Sequence, residues 1–130
     1  EKHLEFSFHI PERPVMMRGN ENCSERIIRN LLQNAVRYAE HCLEISLKEE
    51  NGSVILAFEN DVSDFTQGDV EQLFRRFYVK DPSRSSQGTG LGLTIARTLA
   101  EKTGGSMRAE LVGEDRLRFT VEWESADAVH

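Results

Sequence analysis

The chain has 130 residues, of which 38% are hydrophobic, 29% charged and 8% aromatic, and its formal net charge is −6. These values predict one globular domain over residues 1–130, long enough to bury a core. The acidic balance argues against a general nucleic-acid-binding protein, which usually has a basic face. No apolar run reaches the length of a membrane span, and the sequence opens at Glu1 without Met, so we expect a domain excised from a longer protein.

Apolar periodicity predicts the elements of the first half of the chain. Residues 4–10 alternate between apolar and polar types, which predicts a half-buried strand. Residues 15–18 are a candidate for a second, short strand. Apolar residues at helical spacing predict a helix over residues 23–39. Alternation from residue 43 to residue 47, followed by Asn51-Gly52, predicts a hairpin whose returning strand covers residues 53–59.

The second half predicts two more helices and two closing strands. In order, we expect a short helix, a polar Ser-rich loop, a longer helix and two strands, at residues 69–74, 80–87, 94–102, 107–111 and 117–123. Gly104-Gly105 ends the longer helix, and Gly113 separates the strands. Helices mixed with hairpins predict the α+β class, with the helices on one face of a mostly antiparallel sheet.

The two cysteines, Cys23 and Cys42, are too few for a disulfide framework or a cysteine metal cluster. They lie in or beside an apolar helical pattern. We therefore expect buried free thiols and a reducing compartment.

A glycine-rich loop precedes the longer helix. Gly88, Gly90 and Gly92 stand at every second position, and an apolar helical pattern follows directly. Glycine lets the backbone pass close to a bulky anion, and a helix that starts there directs its free N–H groups at it. This predicts a phosphate site, although similar loops also occur as plain turns.

The first long helix carries a polar stripe. At about 100° per residue, Asn30, Asn34, Arg37 and His41 fall on one side of it. Asparagine disfavours helix interiors, so two of them have a cost in stability. The stripe is either a solvated face or a site in which amide oxygens hold Mg²⁺ and Arg37 contacts phosphate.

Several segments together resemble the catalytic and ATP-binding domain of bacterial sensor histidine kinases. Residues 30–38 resemble the N box of that family, residues 73–78 its F box, and residues 88–93 its G2 box. The resemblance covers nearly the whole chain, with the motifs in family order. It implies a Bergerat-type α/β sandwich, with about three helices packed on one face of a mixed, mostly antiparallel sheet of about five strands.

The resemblance also implies roles for individual residues. Asn34, with Asn30 beside it, would ligate Mg²⁺, Arg37 would contact phosphate, and Tyr38 would lie against the nucleotide. Phe77, with Phe74, would anchor the base of a mobile lid. The lid cations Lys80 and Arg84 would face the terminal phosphate. The backbone of the glycine loop would wrap the phosphates through Gly88, Thr89, Gly90, Leu91, Gly92 and Leu93.

The chain departs from the family at the G1 box, where the family has an Asp that accepts a hydrogen bond from adenine. Family spacing and strand parity place Asn60 there, and a local bulge would place Asp61 there instead. An Asn amide oxygen can still accept from the adenine amino group. The family's glycine positions become Val62 and Asp64, so backbone freedom is lost.

None of the four histidines stands in the acceptor motif of the family. The resemblance therefore implies a kinase half that transfers the γ-phosphoryl group of ATP, with Mg²⁺, to a His on a separate phosphoacceptor helical hairpin. It implies a response regulator receiver domain as a further partner, no nucleic acid, and a cytoplasmic location in a membrane-bound parent. Alternatives are a degenerate nucleotide-binding module that acts by docking, an ATP-driven clamp of the gyrase type, and an anti-sigma serine kinase.

Overall fold

The computed structural model describes residues 4–12, 21–75 and 92–125. These ranges contain five strands and three helices, which in chain order are β1 (Glu5–His9), α1 (Glu21–Tyr38), β2 (Cys42–Glu50), β3 (Ser53–Asp61), α2 (Gln67–Gln72), α3 (Gly92–Lys102), β4 (Ser106–Val112) and β5 (Arg116–Glu124). The predicted α+β class is confirmed, and the predicted bounds shift by one to a few residues. The predicted strand at residues 15–18 and the loop at 80–87 lie outside the described ranges.

The strands form one mixed sheet in the order β1-β2-β3-β5-β4. Only the β1–β2 pair is parallel, and the other three described pairs are antiparallel. Asn51 and Gly52 connect β2 to β3 with positive φ angles of 51° and 81°, as a two-residue type I′ hairpin requires. The predicted hairpin and the mostly antiparallel sheet are therefore confirmed.

One face of the sheet carries the core and the helices. The strand registers place Ile45, Phe58 and Phe119 side by side on this face, and Ile27 and Leu31 of α1 pack into the same buried cluster. The opposite face is charged, and there Glu59 lies between Arg116 and Arg118, at 2.5 and 2.8 Å. No helix in the described ranges is both long and apolar enough to cross a membrane.

The edge strand β1 differs from its prediction. Its alternating pattern predicted half burial, but all five of its residues are exposed. Phe6 and Phe8 are 44% and 59% exposed, although their partners Leu43 and Ile45 lie on the helix-bearing face. The alternating pattern therefore predicted the strand correctly but its burial wrongly. The reason is that β1 joins the sheet beyond the part that the helices cover.

Both cysteines are free thiols, as expected, but neither is fully buried. The sulfur of Cys42 lies 3.8 Å from the guanidinium of Arg116 on the charged face. The expectation of buried thiols is wrong because Cys42 opens an edge-proximal strand and points away from the core.

Candidate functional site

Asn60 is the buried polar side chain at the end of β3. It lies on the helix-bearing face between Leu43 and Leu117, and its exposure is 0%. Its Nδ2 donates to the main-chain carbonyl of Asp61 at 3.0 Å, and its Oδ1 is buried and has no hydrogen-bond partner among the described residues. The strand parity used to place Asn60 is confirmed, and its amide presents an unused acceptor.

Asp61 points to the other face of the sheet and holds the turn that follows α1. Its carboxylate accepts hydrogen bonds from the main-chain N–H groups of Glu40, His41 and Cys42 at 2.8–3.1 Å, and from Nδ1 of His41 at 2.9 Å. The ladder to β5 continues regularly through Asp61 and Arg116. No bulge therefore turns Asp61 toward the base position.

The pKa of Asp61 lies well below its ordinary value of 3.8. Burial alone would raise the pKa of Asp61. The main-chain hydrogen bonds from His41, Cys42 and Glu40, together with the bond from the His41 ring, lower the pKa by more than burial raises it. Asp61 is therefore a charged cap whose role is to fix the end of α1 against the end of β3. Sequence analysis missed this cap because its donors lie about twenty positions earlier in the chain.

Two further contacts join the end of α1 to the segment after β3. The ring of Tyr38 packs edge-on against Phe65 at 5.2 Å, and the Ser63 hydroxyl donates to Glu40 at 2.8 Å. Tyr38 is buried in the core, whereas the resemblance implied a position against the nucleotide. His41 lies beyond the helix, which ends at Tyr38, so the predicted polar stripe is confined to Asn30, Asn34 and Arg37.

The two positions at which the family has glycine behave differently. Val62 is buried, and its N–H donates to the carbonyl of Asp115 at 2.9 Å. Asp64 has a φ of 60°, a left-handed conformation that Asp tolerates better than most residues. The backbone at Asp64 thus keeps the conformation that glycine favours, despite the substitution.

Asn30 joins α1 to the start of α3. Its Nδ2 donates to the main-chain carbonyl of Gly92 at 3.1 Å, so the segment that resembles the N box meets the end of the segment that resembles the G2 box. α3 begins at Gly92, with Leu93 buried in the core. The N-terminal end of an eleven-residue helix, which is the positive end of its dipole, therefore lies beside the amide of Asn30.

Asn34 follows one turn after Asn30 on α1. Its Nδ2 is buried and has no hydrogen-bond partner within the part of the chain that the structure describes. An amide can turn either its oxygen to a cation or its nitrogen to a phosphate oxygen. Arg37 is half-buried on the next turn, with its guanidinium 6.0 Å from the Tyr38 ring centre. An amide pair with a nearby guanidinium fits a magnesium–phosphate group.

The start of the predicted lid is anchored as expected. Phe74 packs edge-on against Phe119 at 6.3 Å, and its carbonyl accepts a hydrogen bond from the Thr94 hydroxyl at 2.9 Å. The guanidinium carbon of Arg97 lies over the Phe74 ring, 4.9 Å from its centroid, a contact that the sequence did not predict. The other predicted lid and loop residues, namely Phe77, Lys80, Arg84, Gly88, Thr89, Gly90 and Leu91, lie outside the described ranges.

The chain resembles known proteins over most of its length. It is 32% identical over 124 residues to the sensor histidine kinase YcbM of Bacillus subtilis, covering 92% of this chain and 40% of that protein. It is 33% identical over 104 residues to the sensor histidine kinase CpxA of Escherichia coli, covering 78% of this chain and 23% of that protein. The chain therefore spans less than half the length of these relatives.

Solved structures support the fold. The catalytic domain of the histidine kinase ThkA superposes with a TM-score of 0.78 at 22% identity, over 93% of this chain and 78% of that chain. The mycobacterial sensor histidine kinase MprB gives a TM-score of 0.77 at 20% identity, over 94% of this chain and 82% of that chain. The model of one ATPase family matches residues 19–126. The chain thus belongs to the histidine kinase-, DNA gyrase B- and HSP90-like ATPase family.

Proposed function

We propose that this chain binds Mg²⁺-ATP and is the catalytic part of a sensor histidine kinase, which transfers the γ-phosphoryl group to a His on a separate helical hairpin. The observation that carries the proposal is the buried, unpartnered Oδ1 of Asn60. A buried acceptor without a partner costs about 1–3 kcal/mol. The 6-amino group of adenine supplies the missing donor.

The environment of Asn60 makes this acceptor selective. Its Nδ2 is already engaged by the carbonyl of Asp61 at 3.0 Å, so the amide turns its oxygen, and not its nitrogen, toward the base. Guanine has a carbonyl oxygen where adenine has the amino group, and two acceptors repel each other. The arrangement therefore favours ATP over GTP.

The phosphates and the metal ion belong between α1 and the start of α3. Asn34 and Asn30 would hold Mg²⁺, and Arg37 and the first N–H groups of α3 would hold phosphate oxygens. A magnesium ion held by these amides would offset the negative charge that develops on the phosphates during transfer. The hydrogen bond between Asn30 and Gly92 supports this arrangement, because it keeps α1 and the start of α3 together.

Transfer of the phosphoryl group depends mainly on positioning and charge neutralisation. The imidazole nitrogen of the incoming His attacks the γ-phosphorus, the bond to the bridging oxygen breaks, and ADP leaves. An acidic residue beside that His takes its proton. Lys80 and Arg84 are proposed to face the γ-phosphate from the lid, whose base Phe74 anchors against Phe119.

The proposed kinase function also implies the partners of this chain. The relatives include full-length sensor kinases, and we propose that this domain belongs to such a protein, lies on its cytoplasmic side and is joined to the membrane through it. Its direct substrate would be the phosphoacceptor hairpin of that protein. The receiver domain of a response regulator would take the phosphoryl group next, and nucleic acid is not proposed as a partner.

The test is phosphotransfer from γ-labelled ATP. We expect acid-labile label on the parent's helical hairpin when it is mixed with this chain, and none on the chain alone. A variant of the hairpin without its His is the control. Binding of ATP without transfer would contradict the kinase proposal and favour a degenerate nucleotide-binding module that acts by docking. That alternative is motivated by Asn60, Val62 and Asp64, which replace the family's G1-box residues.

A further inference from the structure

We propose that β1 is a self-pairing edge, through which two copies of this chain join their sheets antiparallel about Ser7. β1 is one of the two edges of the described sheet. Its sequence is almost symmetric about Ser7, with Phe6 and Phe8, Glu5 and His9, and Leu4 and Ile10 at equal distances on either side. When two copies of such a strand pair antiparallel about Ser7, each residue lies opposite its symmetric counterpart in the other copy.

The backbone of β1 has the correct parity for this pairing. Glu5 donates its N–H to the carbonyl of His41 at 2.8 Å, so Glu5, Ser7 and His9 direct their main-chain groups toward β2 in the parallel ladder. The main-chain groups of Phe6 and Phe8 then point outward from the sheet. In a register centred on Ser7, Phe6 of each copy faces Phe8 of the other, and these are the residues with outward N–H and C=O groups.

The side chains of β1 are complementary to themselves on both faces. On the helix-bearing side, Phe6 and Phe8 of two copies form a cluster of four rings, and aromatic cross-strand pairs stabilise sheets. On the charged side, the carboxylate of Glu5 of one copy lies opposite the imidazole of His9 of the other. Within its own chain, the His9 imidazole contacts Glu44 at 2.8 Å. The pairing therefore matches apolar to apolar and acid to base.

Apolar side chains of both β1 and α1 are left exposed. Besides Phe6 and Phe8, Ile10 is 56% exposed, and Ile28 and Val36 of α1 are 42% and 39% exposed. Ile28, Leu32 and Val36 follow each other at four-residue spacing, on the side of α1 opposite the Asn30 contact with α3. This stripe therefore lies away from the contact between α1 and the start of α3.

The expected association is weak. A short edge strand with a few apolar side chains buries less than the roughly 1,200–2,000 Å² of a standard stable interface. The face lies at the β1 edge, away from the Asn30 contact with the start of α3, so pairing leaves the proposed nucleotide site open. β1 also lacks the lysine, proline or bulge by which edge strands commonly avoid pairing.

Sedimentation of this chain at increasing concentration tests the pairing without nucleotide, and so separately from the kinase proposal. We expect the weight-average mass to rise from 14.8 kDa toward twice that value between about 10 µM and about 1 mM. Phe8→Lys should keep the chain monomeric, since it places a charge on the edge. Ser106→Lys, which places the same charge at an exposed position on the other edge strand, β4, should leave the mass curve unchanged.

Disulfide formation tests the register. In a Cys23→Ser/Cys42→Ser background, Ser7→Cys should give at least about tenfold more oxidised dimer than His9→Cys. The two Ser7 Cα atoms would lie about 4.5 Å apart, within disulfide reach, and those of His9 roughly 13 Å apart. A chain that stays at 14.8 kDa throughout, as it would if this face instead awaits a helix of the parent protein, overturns the proposal. Equal oxidation of the two cysteine variants also overturns it.

Discussion

Asn60 donates its amide N–H to the main-chain carbonyl of Asp61 at 3.0 Å, and this bond decides which atom of Asn60 is left for a ligand. The amide oxygen, Oδ1, is buried and has no hydrogen-bond partner in the described parts of the chain. Asp61 meanwhile holds the turn after α1 with its carboxylate. Two consecutive residues of β3 thus differ in role: Asp61 stabilises the turn after α1, and under the proposed function Asn60 would contact the base.

We expect Asn60→Leu to weaken ATP binding by about 1–3 kcal/mol, because the adenine amino group would lose its acceptor in a buried site. Asn60→Asp should keep or tighten ATP binding, since a carboxylate gives a charge-assisted hydrogen bond. The same variant should lower the melting temperature, because a carboxylate oxygen would replace the donor that faces the Asp61 carbonyl. Titration calorimetry with ATP and GTP measures the changes in affinity, and thermal unfolding measures the change in melting temperature. Equal losses for the two nucleotides would show that Asn60 does not read the base.

Asn34→Ala should weaken binding of Mg²⁺-ATP more than binding of adenosine, because it removes an amide from the metal and phosphate region and leaves the base position intact. Gln33→Ala is the matched control, since it removes an amide from an exposed position on the same helix. Calorimetry with both ligands measures the difference. Equal losses for Mg²⁺-ATP and adenosine would assign Asn34 to folding or to the base.

Asp61→Ala should lower the free energy of unfolding by about 1–3 kcal/mol, because it leaves the N–H groups of Glu40, His41 and Cys42 without their acceptor. Urea unfolding measures this loss. ATP affinity of the folded variant should change less than in Asn60→Leu. If Asp61→Ala abolished ATP binding at unchanged stability, the base would be read by Asp61.

The same carboxylate predicts a pH dependence of stability. The folded-state pKa of Asp61 lies below its ordinary value of 3.8, so its contribution is fully present above about pH 4 and is lost as the pH falls through the folded-state pKa. The difference in urea midpoint between the wild type and Asp61→Asn should therefore be constant from about pH 7 to about pH 5 and shrink below about pH 4. A difference that stays constant down to about pH 2 would contradict this assignment.

Gly105→Ala should destabilise the chain by about 1–3 kcal/mol through overpacking. A Cβ at Gly105 would lie 2.6 Å from the carbonyl oxygen of Glu122 and 2.8 Å from Cδ1 of Trp123, so β5 would have to shift. Gly68→Ala is the control, because its Cβ would meet only the Thr66 hydroxyl at 3.5 Å. Thermal unfolding of both variants checks the difference, and equal melting temperatures would show that β5 yields without cost.

The sequence predicted well those features that neighbouring residues determine. Asn51-Gly52 defined the hairpin because only two adjacent residues set its turn. Parity along β3 placed Asn60 on the same face as Phe58, because a strand alternates strictly. By contrast, the contact of Asn30 with Gly92 was not predicted, since nothing local links two residues 62 positions apart.

Features that depend on distant parts of the chain could not be predicted. The exposure of Phe8 follows from where β1 joins the sheet relative to α1, and the strand's own pattern does not contain that information. The partners of Asp61 come from a turn about twenty residues away. The burial of Tyr38 depends on Phe65, which packs on it from the segment after β3.

The most direct test of the central claim is calorimetric titration of this chain with Mg²⁺-ATP. We expect binding with a dissociation constant on the order of micromolar to millimolar, because an open site must order its loops when the nucleotide binds. Asn60→Leu should bind at least about fivefold more weakly under the same conditions. Absence of binding at millimolar ATP to the folded chain, or unchanged affinity in Asn60→Leu, would contradict the account.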